Sequence, residues 1–209
     1  MFKDLDVVAL RKKYDISPAD KVIIKVARLQ AEKAHCDAID ALDILHNQFN
    51  KNAHLLIVGG GRPEYTLALK KYADDKMLSN YVHFTGSQSD VRPFYCIADL
   101  FTLTSYSTET FSLAALEAMA FYLPCSLTDI GGANEMTIEG VTGALSKPKD
   151  PRSIAASWNK ILNSNMKGKR TRQYMLENFT SEKMLDQYLQ LIGAGGLTKL
   201  LDVKLLNAR

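Results

Sequence analysis

Glu109 and Glu117 stand eight residues apart in the stretch ETFSLAALE, at the start of a predicted helix that directly follows an apolar strand. The first turn of a helix presents backbone N–H groups without intrahelical partners and the positive end of the helix dipole, a setting that suits a phosphate. Carboxylates flanking that end do not attract phosphate, but they accept hydrogen bonds from hydroxyls. A ligand carrying both a phosphate and vicinal hydroxyls, such as a sugar nucleotide, satisfies both. Eight helical residues span roughly 12 Å, longer than the ~5–9.5 Å that separates the paired acids of a glycoside hydrolase. The two glutamates therefore read as hydroxyl binders at separate points along a ligand. The small and apolar neighbours of Glu117, from Ala114 to Ala120, predict a largely buried helix in which a carboxylate needs a partner.

Two cations stand on a predicted loop in RLQAEK, Arg28 and Lys33. Arg offers a planar fork and Lys a point charge, and the two can converge on a diphosphate or remain solvated surface charges. GGGRPE (59–64) lacks the third glycine of a dinucleotide fingerprint, because position 64 is Glu64. It reads as a tight turn that lets backbone approach a ligand, with Gly61 at its end. No P-loop, Ser–His–acid set, Cys–His pair or metal-ligand spacing stands out.

The elements that must position these groups alternate. KVIIKVA (21–27), HLLIVGG (54–60), VHFTG (82–86), DLFTLTS (99–105), PCSLTD (124–129) and VTGALS (141–146) read as strands. Helical spacing predicts helices over 34–49, from Pro63, over 90–97, 111–121, 133–139 and 150–164, then 167–177 and 180–192. Such alternation predicts an α/β, Rossmann-like, doubly wound parallel sheet of about six strands, with helices on both faces and C-terminal helices added. Ligands of such sheets gather beyond the carboxyl ends of the strands. Arg28, Gly59–Gly61, Gly86, Glu109 and Gly131–Gly132 all fall at that edge.

Bulk properties set outer limits. The chain has 209 residues, 46% hydrophobic and 23% charged, enough for one substantial core. A net charge of +3 without a basic-aromatic stripe argues against a nucleic-acid partner. Three scattered cysteines and four histidines without ligand spacing fit reduced thiols and no metal. The start MFKDLD is charged from its third residue, and no apolar run reaches the ~20 residues of a spanning helix, so a cytoplasmic location is expected. Leu197, Leu200, Leu201 and Leu205 share one helical face near the C-terminus, which offers self-docking, an oligomer contact or an inner-membrane surface contact.

VARLQAEK (26–33), LLIVGGGRPE (55–64), VHFTG (82–86), ADLFTLTS (98–105), ETFSLAALEAMA (109–120), LPCSLTDIGGANE (123–135) and GVTGAL (140–145), in this order, resemble the C-terminal donor-binding domain of retaining GT-B glycosyltransferases, family 4 or group 1. The resemblance covers about residues 20–165. It implies a nucleotide-sugar-binding Rossmann-like domain at 21–165, preceded by a linker-derived segment (1–20) and followed by a C-terminal helical extension (166–209).

It further implies that Arg28 and Lys33 hold the donor diphosphate, that Glu109 contacts the transferred sugar, and that Glu117 holds the ribose hydroxyls. Backbone at Phe111, Ser112 and Leu113 would meet the sugar and distal phosphate, and Thr85, Gly86 and Gln88 would line the base. These enzymes need no metal or other cofactor, and retention is ascribed to front-side attack assisted by the leaving phosphate. The family's preceding Rossmann-like domain is an implied partner, without which transfer would be weak or absent. Alternatives under the same resemblance are a sugar-nucleotide epimerase and a non-catalytic nucleotide-binding module. The chain departs from the family pattern at three places. Thr110-Phe111-Ser112 replaces GFG, Ala34 replaces the glycine of EKG, and Tyr122 replaces the glycine before LP, where a positive φ would strain a tyrosine.

Overall fold

The structure, a computed structural model, describes residues 7–107, 109–164, 166 and 168–193. The leucine-rich tail at 197–205 lies outside the described residues. Six strands form one parallel sheet: β1 (Lys21–Val26), β2 (Ala53–Val58), β3 (Val82–Gly86), β4 (Leu100–Leu103), β5 (Cys125–Thr128) and β6 (Gly143–Ser146), in the spatial order β3-β2-β1-β4-β5-β6. The strands are shorter than expected at several ends, because Ala27, Gly59, Thr104 and Asp129 already belong to the loops that leave the carboxyl edge.

Period-two alternation sends successive strand residues to opposite faces. Ile23, Leu55 and Ile57 join a core with α2 (His35–Phe49), α3 (Pro63–Asp75) and α7 (Pro151–Leu162), built on Ile39, Leu42, Leu45 and Trp158. Val22, Ile24, Leu56 and Val58 join the opposite core with α4 (Arg92–Ile97), α5 (Leu113–Ala120) and the short α6 (Ala133–Met136). The buried Trp158 indole N–H donates to Thr102 Oγ1 at 2.9 Å, which satisfies the one polar atom of that side chain. Sheet and both helical layers thus follow from apolar faces that must each be covered.

Three further helices among the described residues extend the body. The N-terminal segment expected to be linker-derived includes a helix, α1 (Val7–Lys13), whose Val7 and Leu10 pack beside the α4 core. After α7 come α8 (Lys169–Asn178) and α9 (Ser181–Ile192). Met175 of α8 is buried in the second core, whereas α9 buries no residue and exposes Met184, Leu185, Tyr188 and Leu191. No helix among the described residues is long and apolar enough to cross a membrane.

A polar relay closes the edge of the sheet farthest from the chain's second half. His54 on β2 and His83 on β3 stack with ring centroids 5.2 Å apart, and His54 Nδ1 lies 2.9 Å from His83 Nε2. His54 Nε2 lies 3.3 Å from Asp20 Oδ2. With both rings neutral, His83 donates to His54 and His54 donates to Asp20, so no donor is wasted. Nothing in the spacing of the histidines along the chain points to this pair, which forms between the neighbouring strands β2 and β3.

Tyr122 adopts φ 65°, the left-handed region in which an L side chain is strained. Its ring lies against the Arg172 guanidinium, 5.4 Å from the centroid, and its carbonyl accepts from Gly168 N–H at 3.2 Å. Replacing Tyr122 with Gly and, separately, with Ala removes the same ring but relieves the backbone only in the first case. The Gly variant should be more stable than the Ala variant by about 1 kcal/mol, the reverse of the usual order. Urea denaturation of the two variants checks the sign.

The histidine relay generates a pH dependence. Burial, and then the neighbouring His54, pull His83 down from 6.5 to about 4, and burial lowers His54 despite its bond to Asp20. Between those values the unfolded chain binds more protons than the folded one, so stability falls as pH drops from about 6.5 towards 4. A loss of about 1–3 kcal/mol is expected from the pair, discounted for partial solvent access. Thermal melts across this range should show a shallower fall in His83→Gln.

Candidate active site at the carboxyl edge

The strand order reverses direction between β1 and β4, which are neighbours in the sheet although far apart in sequence. Their outgoing loops diverge around a crevice at this switch point. The β1 loop carries Arg28 and a 3-10 turn at Ala31–Lys33, and the β4 loop carries Ser105, Tyr106 and Glu109.

Lys33 Nζ lies 2.7 Å from Glu109 Oε2, and the two side chains are only 17% and 15% exposed. Ser105 Oγ donates to the same carboxylate oxygen at 3.1 Å. The structure thus brings together two of the three residues expected at the reacting end. The turn that presents Lys33 is fastened from beneath. Thr104 Oγ1 places its proton between the carbonyls of Lys33 (3.0 Å) and Ala34 (2.8 Å), and the Tyr106 N–H donates to the Glu32 carbonyl at 3.2 Å. Ala34 has φ 48°, so the position where the resemblance expects glycine does require left-handed backbone. Lys25, in the middle of β1 and fully buried, donates to Thr104 Oγ1 at 2.7 Å.

Arg28 is exposed, and its own carbonyl is anchored by the His35 Nε2–H at 2.9 Å. That bond fixes the His35 tautomer, leaving Nδ1 as a buried acceptor with no partner among the described residues. Burial, and then the Lys25 charge, lower His35 to about 3, so the ring stays neutral.

Glu117 corrects an expectation. It is exposed, because α5 turns Ala115, Ala118 and Met119 inward and leaves the Glu117 face to solvent. It still has a partner: the Tyr95 hydroxyl donates to its Oε2 at 3.1 Å. Glu109 also lies outside α5, four residues before Leu113, so the helical rise does not set the separation of the two acids. Ser112 caps the helix by accepting the Ala115 N–H at 3.3 Å, while Phe111 precedes it with its ring 5.4 Å from that of Phe179.

Gly59, Gly61, Gly131 and Gly132 take part in loop packing. A Cβ on Gly61 would come within 2.5 Å of the Leu29 Cβ, where the two loops form a bridge, and Gly59 (φ 147°) presses on the Ala27 carbonyl. Gly131, at φ 54°, lies against the Glu109 carbonyl, and the Gly132 N–H donates to Thr110 O at 2.8 Å. The β3 rim is held locally: Gly86 O accepts from Gly59 N–H at 3.0 Å, Thr85 Oγ1 donates to Gly86 O at 3.2 Å, and Gln88 Nε2 donates to Thr85 O at 2.7 Å. With strands about 4.8 Å apart, this rim is roughly 14 Å along the edge from the β4 loop. Lys25, Thr104, Ser105 and Tyr95 escaped the sequence reading. Of these only Lys25 left a signal, because it shares the inward face of β1 with Ile23.

No group of three or more His, Cys, Asp or Glu that could hold a metal ion occurs among the described residues. The crevice holds cations, carboxylates and the N-terminus of α5. A half-buried ion pair of this kind should couple more strongly than a surface pair. Lys33→Met and Glu109→Gln, alone and combined, should give a coupling of about 1–2 kcal/mol in urea denaturation. A coupling indistinguishable from zero would show that the contact does not hold in solution.

A model of the family described as glycosyl transferases group 1 matches residues 6–180. Among curated proteins, the chain is 33% identical over 188 residues to N-acetyl-alpha-D-glucosaminyl L-malate synthase of Bacillus anthracis, covering 88% of this chain and 48% of that protein. It is 29% identical over 194 residues to a lipopolysaccharide core biosynthesis glycosyltransferase of Rhizobium meliloti, covering 90% and 54%. Among solved structures, a glycosyltransferase of Rickettsia africae superposes with a TM-score of 0.78 at 24% identity, over 88% of this chain and 50% of that one. Anabaena HepE in complex with UDP and glucose gives 0.78 at 23%, over 90% and 52%. The chain thus spans about half the length of the curated relatives it matches. With the family match extending over most of its length, the chain belongs to the glycosyl transferases group 1 family.

Proposed function

We propose that this chain is the donor-binding half of a retaining, GT-B-type hexosyltransferase that uses a nucleoside diphosphate sugar. The observation that carries the reading is the meeting of Lys33 and Glu109 at the switch point, beside the N-terminus of α5. In this reading Lys33 exchanges its carboxylate partner for a donor phosphate. That exchange frees Glu109, still steadied by Ser105, to accept hydrogen bonds from the sugar hydroxyls. Exposed Arg28 adds its fork to the diphosphate. The first-turn N–H groups of α5, near Phe111, Ser112 and Leu113, face the distal phosphate.

Further along the guest, Glu117 holds the ribose hydroxyls. Its exposure suits that role, and the Tyr95 hydroxyl fixes its orientation. The rim at Thr85, Gly86 and Gln88, with Gly61 beside it, lines the base. As the glycosidic bond breaks, Arg28, Lys33 and the helix dipole meet the charge on the departing diphosphate, so the reading assigns no metal. The acceptor, a glycan or a lipid-linked molecule at the cytoplasmic membrane face, docks mainly on the other half of the whole protein. The exposed apolar residues of α9 belong to the surface offered to that half. A non-catalytic nucleotide-binding module is the second reading, favoured by Thr110 and Ser112, which make the phosphate-facing turn bulkier than the family's glycines.

Calorimetric titration with UDP, GDP, ADP and their sugars tests the proposal, and UDP-glucose comes first because HepE was crystallised with UDP and glucose. Saturable binding of one base series is expected. Glu117→Ala should weaken it by about 1–1.5 kcal/mol, a loss of roughly tenfold, and Tyr95→Phe by less. Absence of binding to every nucleotide at millimolar concentration sinks the donor reading. Transfer restored by adding the remaining half of the protein separates the enzyme from the binding module.

A further inference from the structure

We infer that Lys25 is a positioning residue of the anion site: through Thr104 it fixes the Lys33–Ala34 turn, and its charge is coupled to whatever anion occupies the crevice. The inference rests on the anion-binding part of the reading above. Lys25 is a lysine in the interior of a central parallel strand, fully buried, with Ile57 as its cross-strand neighbour on β2. An amine in such a place is costly unless it does something there. Its Nζ reaches Thr104 Oγ1 at 2.7 Å, and that hydroxyl in turn grips the Lys33 and Ala34 carbonyls. Because the Thr104 proton is committed to those carbonyls, Lys25 donates to a lone pair of the same oxygen and so ties that hydroxyl to the strand. One buried contact thereby connects the strand to the turn that aims Lys33 at Glu109.

The groups that face Lys25 are themselves charged or titratable. Burial, and then the like charge of Lys33, hold its amine down to about 7, while Glu109 and Asp37 act in the opposite direction. His35 on α2 also feels it but is neutral in this range. A diphosphate over the turn adds negative charge on the side of Lys33 and offsets the Lys33 repulsion, which adds to burial in holding Lys25 down. Binding should therefore be accompanied by uptake of a proton at Lys25 near neutral pH.

The test uses lysine labelled with carbon-13 at Cε and NMR titration over pH, with Lys25→Met, or Lys25→Arg should the first variant not fold, identifying the resonance. Inorganic pyrophosphate is the first probe. The expected midpoint lies near 7 in the free protein and rises by about one pH unit at saturating pyrophosphate. In parallel, the affinity for UDP-glucose, whose doubly esterified diphosphate does not titrate near neutrality, should fall about tenfold from acid to alkaline pH across this midpoint. Lys25→Met should abolish that slope, whereas a merely structural role would weaken binding equally at every pH. An ordinary lysine midpoint, a midpoint that pyrophosphate does not move, or an unchanged slope in Lys25→Met overturns the inference. If pyrophosphate moves Lys25 but no nucleotide binds, the inference stands and the donor reading falls. If UDP-glucose binds and Lys25 stays silent, the reverse holds.

Discussion

The parallel pairing of β1 with β4 is the constraint on which the site depends. Ile23 aligns with Leu100 and Ile24 with Phe101, so two segments separated by more than seventy residues are locked side by side in the middle of the sheet. Their loops then have to leave the carboxyl edge in opposite directions, and the space between them is the crevice. Three contacts of the site cross this junction: Lys25 to Thr104, Thr104 to the Lys33 turn, and Lys33 to Glu109. The helical layers on either face cover apolar strand surface, and in doing so they keep the junction dry enough for a 2.7 Å ion pair to matter.

The loops at this edge are packed against one another before any ligand is considered. Gly59 and Gly61 seat the β2 loop on the β1 loop, and Gly131 and Gly132 seat the β5 loop on the backbone of Glu109 and Thr110. These positions exclude a Cβ for that reason. Ala34 and Tyr122 show the complementary situation, with L side chains held at positive φ where glycine would be unstrained. Their strain is borne by neighbours that over-determine the backbone, through Thr104 in one case and through Gly168 and Arg172 in the other.

The charges fall into two kinds with different physics. Arg28 and Glu117 are exposed, where electrostatics is screened and geometry comes from anchors such as His35 on the Arg28 carbonyl and Tyr95 on the Glu117 carboxylate. Lys25, Lys33 and Glu109 are largely removed from water, and the Lys25 amine responds to the charges of the other two. The crevice thus combines an exposed fork at Arg28 with a largely buried ion pair at Lys33 and Glu109.

What the sequence determined by itself was the architecture and the edge. Apolar runs of five or six residues such as HLLIV and KVIIKV, alternating with helical spacing, leave only a covered parallel sheet as a way to bury both faces, and the observed strands fall inside the predicted segments except that β2 starts one residue earlier, at Ala53. Residue types at strand ends, Arg28, Lys33 and Glu109 among them, lie on loops at the carboxyl edge of that sheet, as the strand assignments require. The tertiary structure decided which of these groups meet. The ion pair of Lys33 with Glu109, the burial of Lys25 beneath it, the exposure of Glu117 and the stacking of His54 on His83 all depend on contacts between residues distant in sequence, most of them across neighbouring strands and their loops. Local patterning records only which face a residue turns to, whereas partnership is set by strand order and register, and those are fixed when the whole sheet assembles.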